Sequence, residues 1–482
     1  MTLLIKSIRH IPPVHIIWAL AALSGIGICY SLSLFSQKFG YDIAVKDMPI
    51  WPLAISLCAA GILFSGLVLL IKKTVASSRN NNCILLLIIV AGVFMRVALF
   101  DSTPVLEDDY QRYLWDGAVT AHGINPYRYS PEEFKRQGEA ADKLKSISAL
   151  TSPTLSRINH PELRTIYPPV TQAMFAAAYL IDPFNLKAWR IIIFAADLVT
   201  LLLIILLLRR IKRPAIWAAM YWWNPLVIKE LFNSVHMEAV LIPFLIGAIY
   251  LSVLKLYRWS GLTLMLAAGV KIWPLALYPI LIRPILFRPA LLISVLFPAA
   301  LLGLIMAWPI LITTIDSNSG FVAYATKWKT NSALFPALSY GYMLLTGDPQ
   351  LANTITRVSI VAILLIIIFL LFAIPASTST SLLKKTALLI SAIFLLSPAQ
   401  FPWYFVWVAP FMAFYHSCGL LILTILMPLY YLAFYFLARG EYEIYQAYII
   451  WIIWIPVWIA FYYDYLRINN NLLLFPSTGN NV

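Results

Sequence analysis

Apolar windows of about 20 residues, the length a helix needs to cross a bilayer, recur along this chain from about residue 15 to about residue 463. A water-soluble core has no use for so many, so the bilayer is the solvent in which the fold has to be understood. Composition agrees. Of 482 residues, 61% are hydrophobic and 12% charged, with a mean hydropathy of +0.82, against the roughly one-quarter charged residues of a soluble domain. The expected fold class is an all-α polytopic membrane protein with roughly 11–13 transmembrane helices, outer-face loops and short juxtamembrane helices. One integral-membrane domain is expected over residues 1–468 and a disordered cytoplasmic tail over 469–482, with no transporter-like or solenoid repeat.

The net charge of +14 does not point to nucleic acid. The basic residues lie in short clusters between apolar stretches, as topology signals do, and no basic domain is present. Cys29, Cys58, Cys83 and Cys418 lie in or beside apolar segments without paired spacing, which indicates neither a disulfide framework nor a zinc site. The basic segment Met1 to His10 precedes an apolar stretch with no small-residue cleavage site, and reads as leading into a retained first helix.

Lys6, Arg9 and His10 put the N-terminus in the cytoplasm by the positive-inside rule. A helix to about residue 36 leads out, a second over 50–71 returns to Lys72, Lys73 and Arg79, and a third over 82–100 leads out again. Residues 101–167 are then a large outer loop. The apolar stretch after it, 168–187, dips or lies at the interface, because the cluster Arg209, Arg210, Lys212 and Arg213 requires 188–208 to run inward. The count continues with 214–229 outward, 235–254 inward, a broken hairpin over 259–282 around Lys271 and Pro274, 290–311 outward and a second outer loop over 312–333. Lys384 and Lys385 are cytoplasmic, and the segment from 386 to about 397 leads out to Pro398–Tyr404. The last apolar stretches end at about residue 463, and the C-terminus is read as cytoplasmic.

This count, made without regard to function, gathers the unusual polar residues at one face: Glu107, Asp108, Asp109, Arg112, Asp116, Asn125, His160, Tyr167, Gln172, His236, Glu238, Trp328, Asn331, Gln400, Trp403 and Tyr404. Ionisable groups at the membrane edge are costly and mark functional sites. In Glu107-Asp108-Asp109 three consecutive carboxylates repel one another, so at least one titrates high or pairs with a cation such as Arg112. A carboxylate there can take a proton from a hydroxyl or hold a divalent cation; a helix cap needs only one such residue. Gly123-Ile-Asn125-Pro126-Tyr127 reads as a turn, and Tyr167-Pro168-Pro169 starts an apolar helix with proline in its first turn. His160 sits in a polar loop, where a solvated histidine is the plain reading. His236 and Glu238, two apart, do not share a helix face but both lie at a helix N-terminus. Lys271, in an apolar segment, needs a carboxylate or an anionic ligand, or snorkels to the interface.

The strings Asp109-Tyr-Gln-Arg112-Tyr113-Leu-Trp115-Asp116-Gly117, Gly123-Ile-Asn125-Pro126-Tyr127-Arg-Tyr129, Asn159-His160-Pro161 and Thr165-Ile-Tyr167-Pro168-Pro169 together resemble bacterial GT-C glycosyltransferases. Within that superfamily they resemble the membrane mannosyltransferases that use polyprenyl-phosphate sugars. Trp223-Asn224-Pro225, His236-Met-Glu238, Lys271-Ile-Trp-Pro274 and Pro402-Trp403-Tyr404 extend the resemblance over nearly the whole chain. It implies a GT-C-like helical bundle in a bacterial cytoplasmic membrane that moves a hexose, mannose favoured, from a polyprenyl-phosphate donor to a hydroxyl of a glycan, lipid or protein acceptor, with inversion and at the extracytoplasmic face. The family's Asp-x-x-Arg-Tyr-like string maps its essential aspartate onto Asp109, with Asp108 beside it; two helices more than usual precede the loop.

A lipid phosphate leaves as a stable anion, so one base and a cationic anchor suffice, where a glycosidase needs a carboxyl pair. Asp109 is the candidate base, supported by Asp108, or joined with it at a metal if a divalent cation takes part; no cofactor is required. Glu107, Arg112, Tyr113, Asp116, Asn125, Tyr127, His160, Tyr167, Gln172, His236, Glu238, Lys271, Trp403 and Tyr404 are the candidate substrate-binding residues. Among them Arg112, Lys271 and His236 would hold the phosphate. The alternative is a transporter or flippase of a lipid-linked or anionic substrate. Transporters place their charges near the midplane in paired halves, and this chain concentrates them at one face.

Overall fold

A computed structural model of the chain describes residues 13–77, 81–135, 147 and 152–469. The basic segment Met1 to His10, Arg79 and residues 470–482 of the tail lie outside the described residues. Eight helices among the described residues are long and apolar enough to cross a membrane: Pro13–Phe39, Ile50–Ser77, Leu186–Arg210, Pro289–Leu311, Pro349–Ala373, Ser379–Leu396, Cys418–Leu437 and Tyr442–Arg467. Four shorter apolar helices accompany them, Asn82–Val97, Pro169–Ile181, Glu238–Val253 and Leu334–Thr346. The only extended pairing among the described residues is an isolated bridge between Thr330 and Ala399. Phe297, Leu304, Trp308 and Phe369, each more than 60% exposed, stand on two of these helices, an arrangement that only lipid tolerates at this density. The protein is an all-helical, multi-pass membrane protein. Its four cysteines are free thiols.

The chain divides into two compact units. The first comprises 1–103, 208–229 and 408–482. In it Arg96, fully buried, donates from Nη1 to the carbonyls of Gly92 (3.0 Å) and Trp222 (2.8 Å), and its guanidinium lies 3.3 Å over the Trp222 ring. Gly92 is required at this crossing, because a Cβ there would fall 1.9 Å from Nε1 of Trp222. The segment 214–229, expected to lead outward, is a chain of short pieces, Ala215–Ala218, Ala219–Trp222 and Pro225–Ile228. The reason is local. Pro225 has no N–H to continue the preceding helix, and Asn224 restarts it by accepting from the amides of Leu226 and Val227. Asn224 Nδ2 also donates to Thr424 Oγ1 at 3.1 Å.

The second unit comprises 104–207 and 230–407. The acidic run opens the helix Asp109–Ala121, which packs on Pro169–Ile181. These two backbones approach so closely at Gly117 that an added Cβ would meet the Phe175 carbonyl oxygen at 2.5 Å. Trp115, Ala118 and Val119 on the same helix bury against Phe134, Ile147 and Ile158. The apolar stretch over 168–187 holds a short helix, Pro169–Ile181, and Pro169 in its first turn is at home there. The expected break around Lys271 is also present: Tyr257–Ala268 ends, and a tight turn of helix, Trp273–Leu277, follows.

Candidate functional site

Asp109 is the first residue of its helix. Asp108 stands at the cap position but makes no side-chain capping bond. Glu107 does that work, its Oε1 accepting from the Asp109 amide at 3.0 Å. Leu106 just before it sits at φ 52°, a left-handed turn that is costly for a branched side chain. The three carboxylates are thus unlike one another: Glu107 faces inward with a side chain 7% exposed, Asp109 is half-buried, and Asp108 lies beside Asn159 and His160.

The second oxygen of Glu107 lies 3.0 Å from Nε2 of His236, and Glu230 Oε2 lies 3.6 Å from the same nitrogen. Glu230 belongs to a π-helical turn, Lys229–Asn233, a form that recurs at functional sites. The chain then passes Val235 at φ 59°, a strained conformation for a β-branched residue, and the His236 amide donates to the Glu230 carbonyl at 3.1 Å. The Val235 carbonyl is held by Nε1 of Trp189 at 2.8 Å. This bend aims His236 at Glu107. Trp403 stacks on the imidazole at 4.0 Å and 20°.

Glu238 begins the next helix and turns the other way, accepting from Lys271 Nζ at 2.6 Å. Lys271 sits in the broken turn, whose backbone is satisfied from outside: the Val170 amide donates to the Gly269 carbonyl (2.9 Å) and Thr171 Oγ1 to the Val270 carbonyl (3.0 Å). Irregular backbone in a membrane protein needs such partners. The ammonium lies 3.9 Å over the Tyr404 ring and 4.8 Å over Trp407, where cation–π attraction adds to the ion pair. Trp403 and Tyr404 are presented by a string anchored through Gln400, whose amide donates to the Thr330 carbonyl (2.9 Å) while Asn331 Nδ2 donates to the Gln400 carbonyl (3.0 Å).

Asp109 stands among these groups electrostatically. Burial, reinforced by the charges of Glu107, Asp108 and Glu238, pushes its carboxyl well above the usual range, and Lys271 pulls it part of the way back. Burial also raises Asp108, but the Asn159 hydrogen bond and His160 oppose the rise. A carboxylate with a raised pKa is a stronger proton acceptor when ionised, which is what a general base working near neutrality requires.

Other expected site residues bond to one another and to neighbouring backbone, with Tyr113 and Tyr167 also in electrostatic reach of Asp109 and Glu238. Arg112 does not pair with the acidic run: its Nε donates to Asp116 at 2.9 Å and its Nη1 to the Leu163 carbonyl at 3.0 Å. Asp116 lies one turn after Arg112 on the same helix and takes its Nε, although Asp109 lies within one turn before it. Asp116, buried, also accepts from Thr165 Oγ1 (2.5 Å) and Gln172 Nε2 (3.0 Å). Tyr127 donates to the Tyr167 carbonyl at 2.8 Å, and Asn125 Nδ2 to the Pro309 carbonyl at 2.7 Å. Tyr113 is packed face to face on Phe175 and edgewise on Tyr167. His160 is exposed, paired with Glu162 at 3.3 Å and set edgewise against Trp328.

Sequence reasoning passed over Glu230, which reads as part of a polar turn, and Trp407, one aromatic among many. The first could have been found as a carboxylate close ahead of His236. The sequence also put a possible cation on Asp108 and Asp109. Donor atoms within 4.8 Å of one another belong instead to Glu107, Asp109 and His236.

Comparison with known proteins identifies one family, described as "Alpha-(1->6)-mannopyranosyltransferase, N-terminal domain", whose match runs over residues 18–286 and includes the acidic run, His236, Glu238 and Lys271. No curated protein and no solved structure matches the chain. The match covers more than half of the chain, and the transporter alternative gives way to an enzyme. The protein belongs to the alpha-(1->6)-mannopyranosyltransferase family and is a multi-pass membrane glycosyltransferase that transfers mannose.

Proposed function

We propose that the chain moves mannose from a polyprenyl-phosphate donor to a hydroxyl acceptor at the extracytoplasmic face, inverting the anomeric centre, with Asp109 as general base. The observation that carries this reading is the position of Asp109 at the opening of its helix, its carboxyl raised by burial and by Glu107, Asp108 and Glu238, with Lys271 in electrostatic reach. The acceptor O–H gives its proton to the Asp109 carboxylate while its oxygen attacks the anomeric carbon. The bond from that carbon to the phosphate oxygen breaks, and the lipid phosphate leaves as an anion. His236 and Lys271 are the nearby donors suited to hold that phosphate by charge-assisted hydrogen bonds. Arg112, tied to Asp116, positions the helix rather than the phosphate.

A mannosyl acceptor such as octyl α-1,6-dimannoside, whose primary hydroxyl is the nucleophile that the family's description implies, provides the test. The protein is purified, reconstituted and given polyprenyl-phosphate mannose with this acceptor, and the product is weighed by mass spectrometry. A gain of one hexose, abolished in Asp109→Asn, supports the reading. Transfer from a sugar nucleotide instead would remove the lipid donor.

A further inference from the structure

Three buried polar atoms around Lys271 are unevenly served. Glu238 is 1% exposed, and one of its oxygens takes the ammonium, yet Oε2 has no hydrogen-bond partner among the described residues. Trp407 is 3% exposed and its Nε1–H is likewise without a partner. Trp273, half-buried and 5.0 Å from Trp407 ring to ring, repeats the pattern at its own Nε1. A buried polar group left unpaired costs about 1–3 kcal/mol, and two or three together on one ion pair are expensive unless a ligand completes them. Around the Trp407 ring stand Tyr404, stacked at 4.3 Å, Trp273, tilted at 5.0 Å, and the Lys271 ammonium at 4.8 Å. What the ring offers is therefore its N–H edge, and not a stacking surface.

We propose that Glu238 Oε2 and Trp407 Nε1, with Lys271 fixing the carboxylate, form a subsite for the hydroxyls of a pyranose. A sugar's vicinal hydroxyls can donate to the carboxylate and accept from the indole, which a phosphodiester, having no O–H to give Glu238, cannot do. A divalent cation would satisfy Glu238 but would be repelled by the ammonium 2.6 Å away. The inference rests on the mannosyl-transfer reading in one respect: the sugar is either the donor's mannose or the acceptor's.

Trp407→Phe removes one N–H while keeping an aromatic ring in the stack; Glu238→Gln keeps an acceptor but weakens the tie to Lys271. Steady-state transfer is measured on the full-length protein with polyprenyl-phosphate mannose and octyl α-1,6-dimannoside varied in turn. Loss of one hydrogen bond raises KM about five- to tenfold for the sugar that occupies the subsite, and the substrate whose KM moves tells donor from acceptor. Binding of methyl α-mannoside is followed in parallel by saturation-transfer NMR, which needs no turnover, so a wrong donor and a wrong subsite give different results. Signal in the wild type and its loss in Trp407→Phe support the subsite even if polyprenyl-phosphate mannose is not a substrate. A Trp407→Phe protein that keeps both KM values within twofold and retains the NMR signal overturns it. A Glu238→Gln or Trp407→Phe variant that changes only the unfolding midpoint, as a purely structural pair would, overturns it as well.

Discussion

Nε2 of His236 stands 3.0 Å from Oε2 of Glu107, joining residues that 128 positions of chain and several helices separate in sequence. Neither side chain is more than 7% exposed, so neither can turn to water if the other is removed. Truncating one partner of such a pair costs about 3–5 kcal/mol. Glu107→Ala and His236→Ala should each lower the thermal unfolding midpoint in detergent and cut mannosyl transfer, and the double variant should fall short of their sum by about 0.5–3 kcal/mol. Additive losses would mean the contact carries no coupling.

Transfer should depend on pH through Asp109. Its carboxyl titrates above the usual range, and the base acts only when ionised, so kcat/KM is full above that raised pKa and is lost as pH falls through it. The acid limb should therefore lie above the ordinary carboxylate range near pH 4. Lys271 lowers the Asp109 pKa, so Lys271→Met should move the limb to higher pH. A limb that stays put or moves down in that variant would separate Lys271 from the base.

At Gly117 the obstacle is backbone, the Phe175 carbonyl oxygen 2.5 Å from a built Cβ, and no rotamer relieves it. Gly117→Ala should cost about 1–3 kcal/mol of stability and, because the same helix carries Asp109, depress kcat more than either KM. Unchanged melting and turnover would contradict the close packing of the two helices.

Asp116→Asn should destabilise by about 3–5 kcal/mol, since it strands Arg112 in a buried position where Thr165 and Gln172 also converge. His160→Ala, at an exposed side chain, should stay within about 0.5 kcal/mol. Thermal unfolding of the two variants side by side tests whether Asp116 bears structure and His160 does not.

The membrane class and the break at Lys271 were legible because hydrophobic length and an isolated charge are local signals. Glu107, Asp109, His236, Glu238, Lys271, Trp403 and Tyr404 were all named from sequence, but not who meets whom. Arg112 was given to the acidic run one helical turn before it, whereas in the structure Asp116, one turn after it, takes the guanidinium, a choice that helical spacing alone does not make. Glu230 and Trp407 stayed hidden because their significance lies in long-range placement, a π-helical turn for one and an unpaired indole edge beside Glu238 for the other, and neither has a sequence signature. The segment 214–229 reads as leading outward from its apolar composition, while the Asn224-Pro225 pair marks in sequence the break that divides it into short pieces.

On the proposed mechanism Asp109 takes the acceptor's proton. Its most direct test is the initial rate of mannosyl transfer from polyprenyl-phosphate mannose by reconstituted Asp109→Asn, compared with Asp108→Asn at equal folded protein. A loss of at least about 100-fold is expected for Asp109→Asn, the scale of general-base catalysis, and a much smaller loss for Asp108→Asn. An Asp109→Asn protein that transfers mannose at the wild-type rate would contradict it.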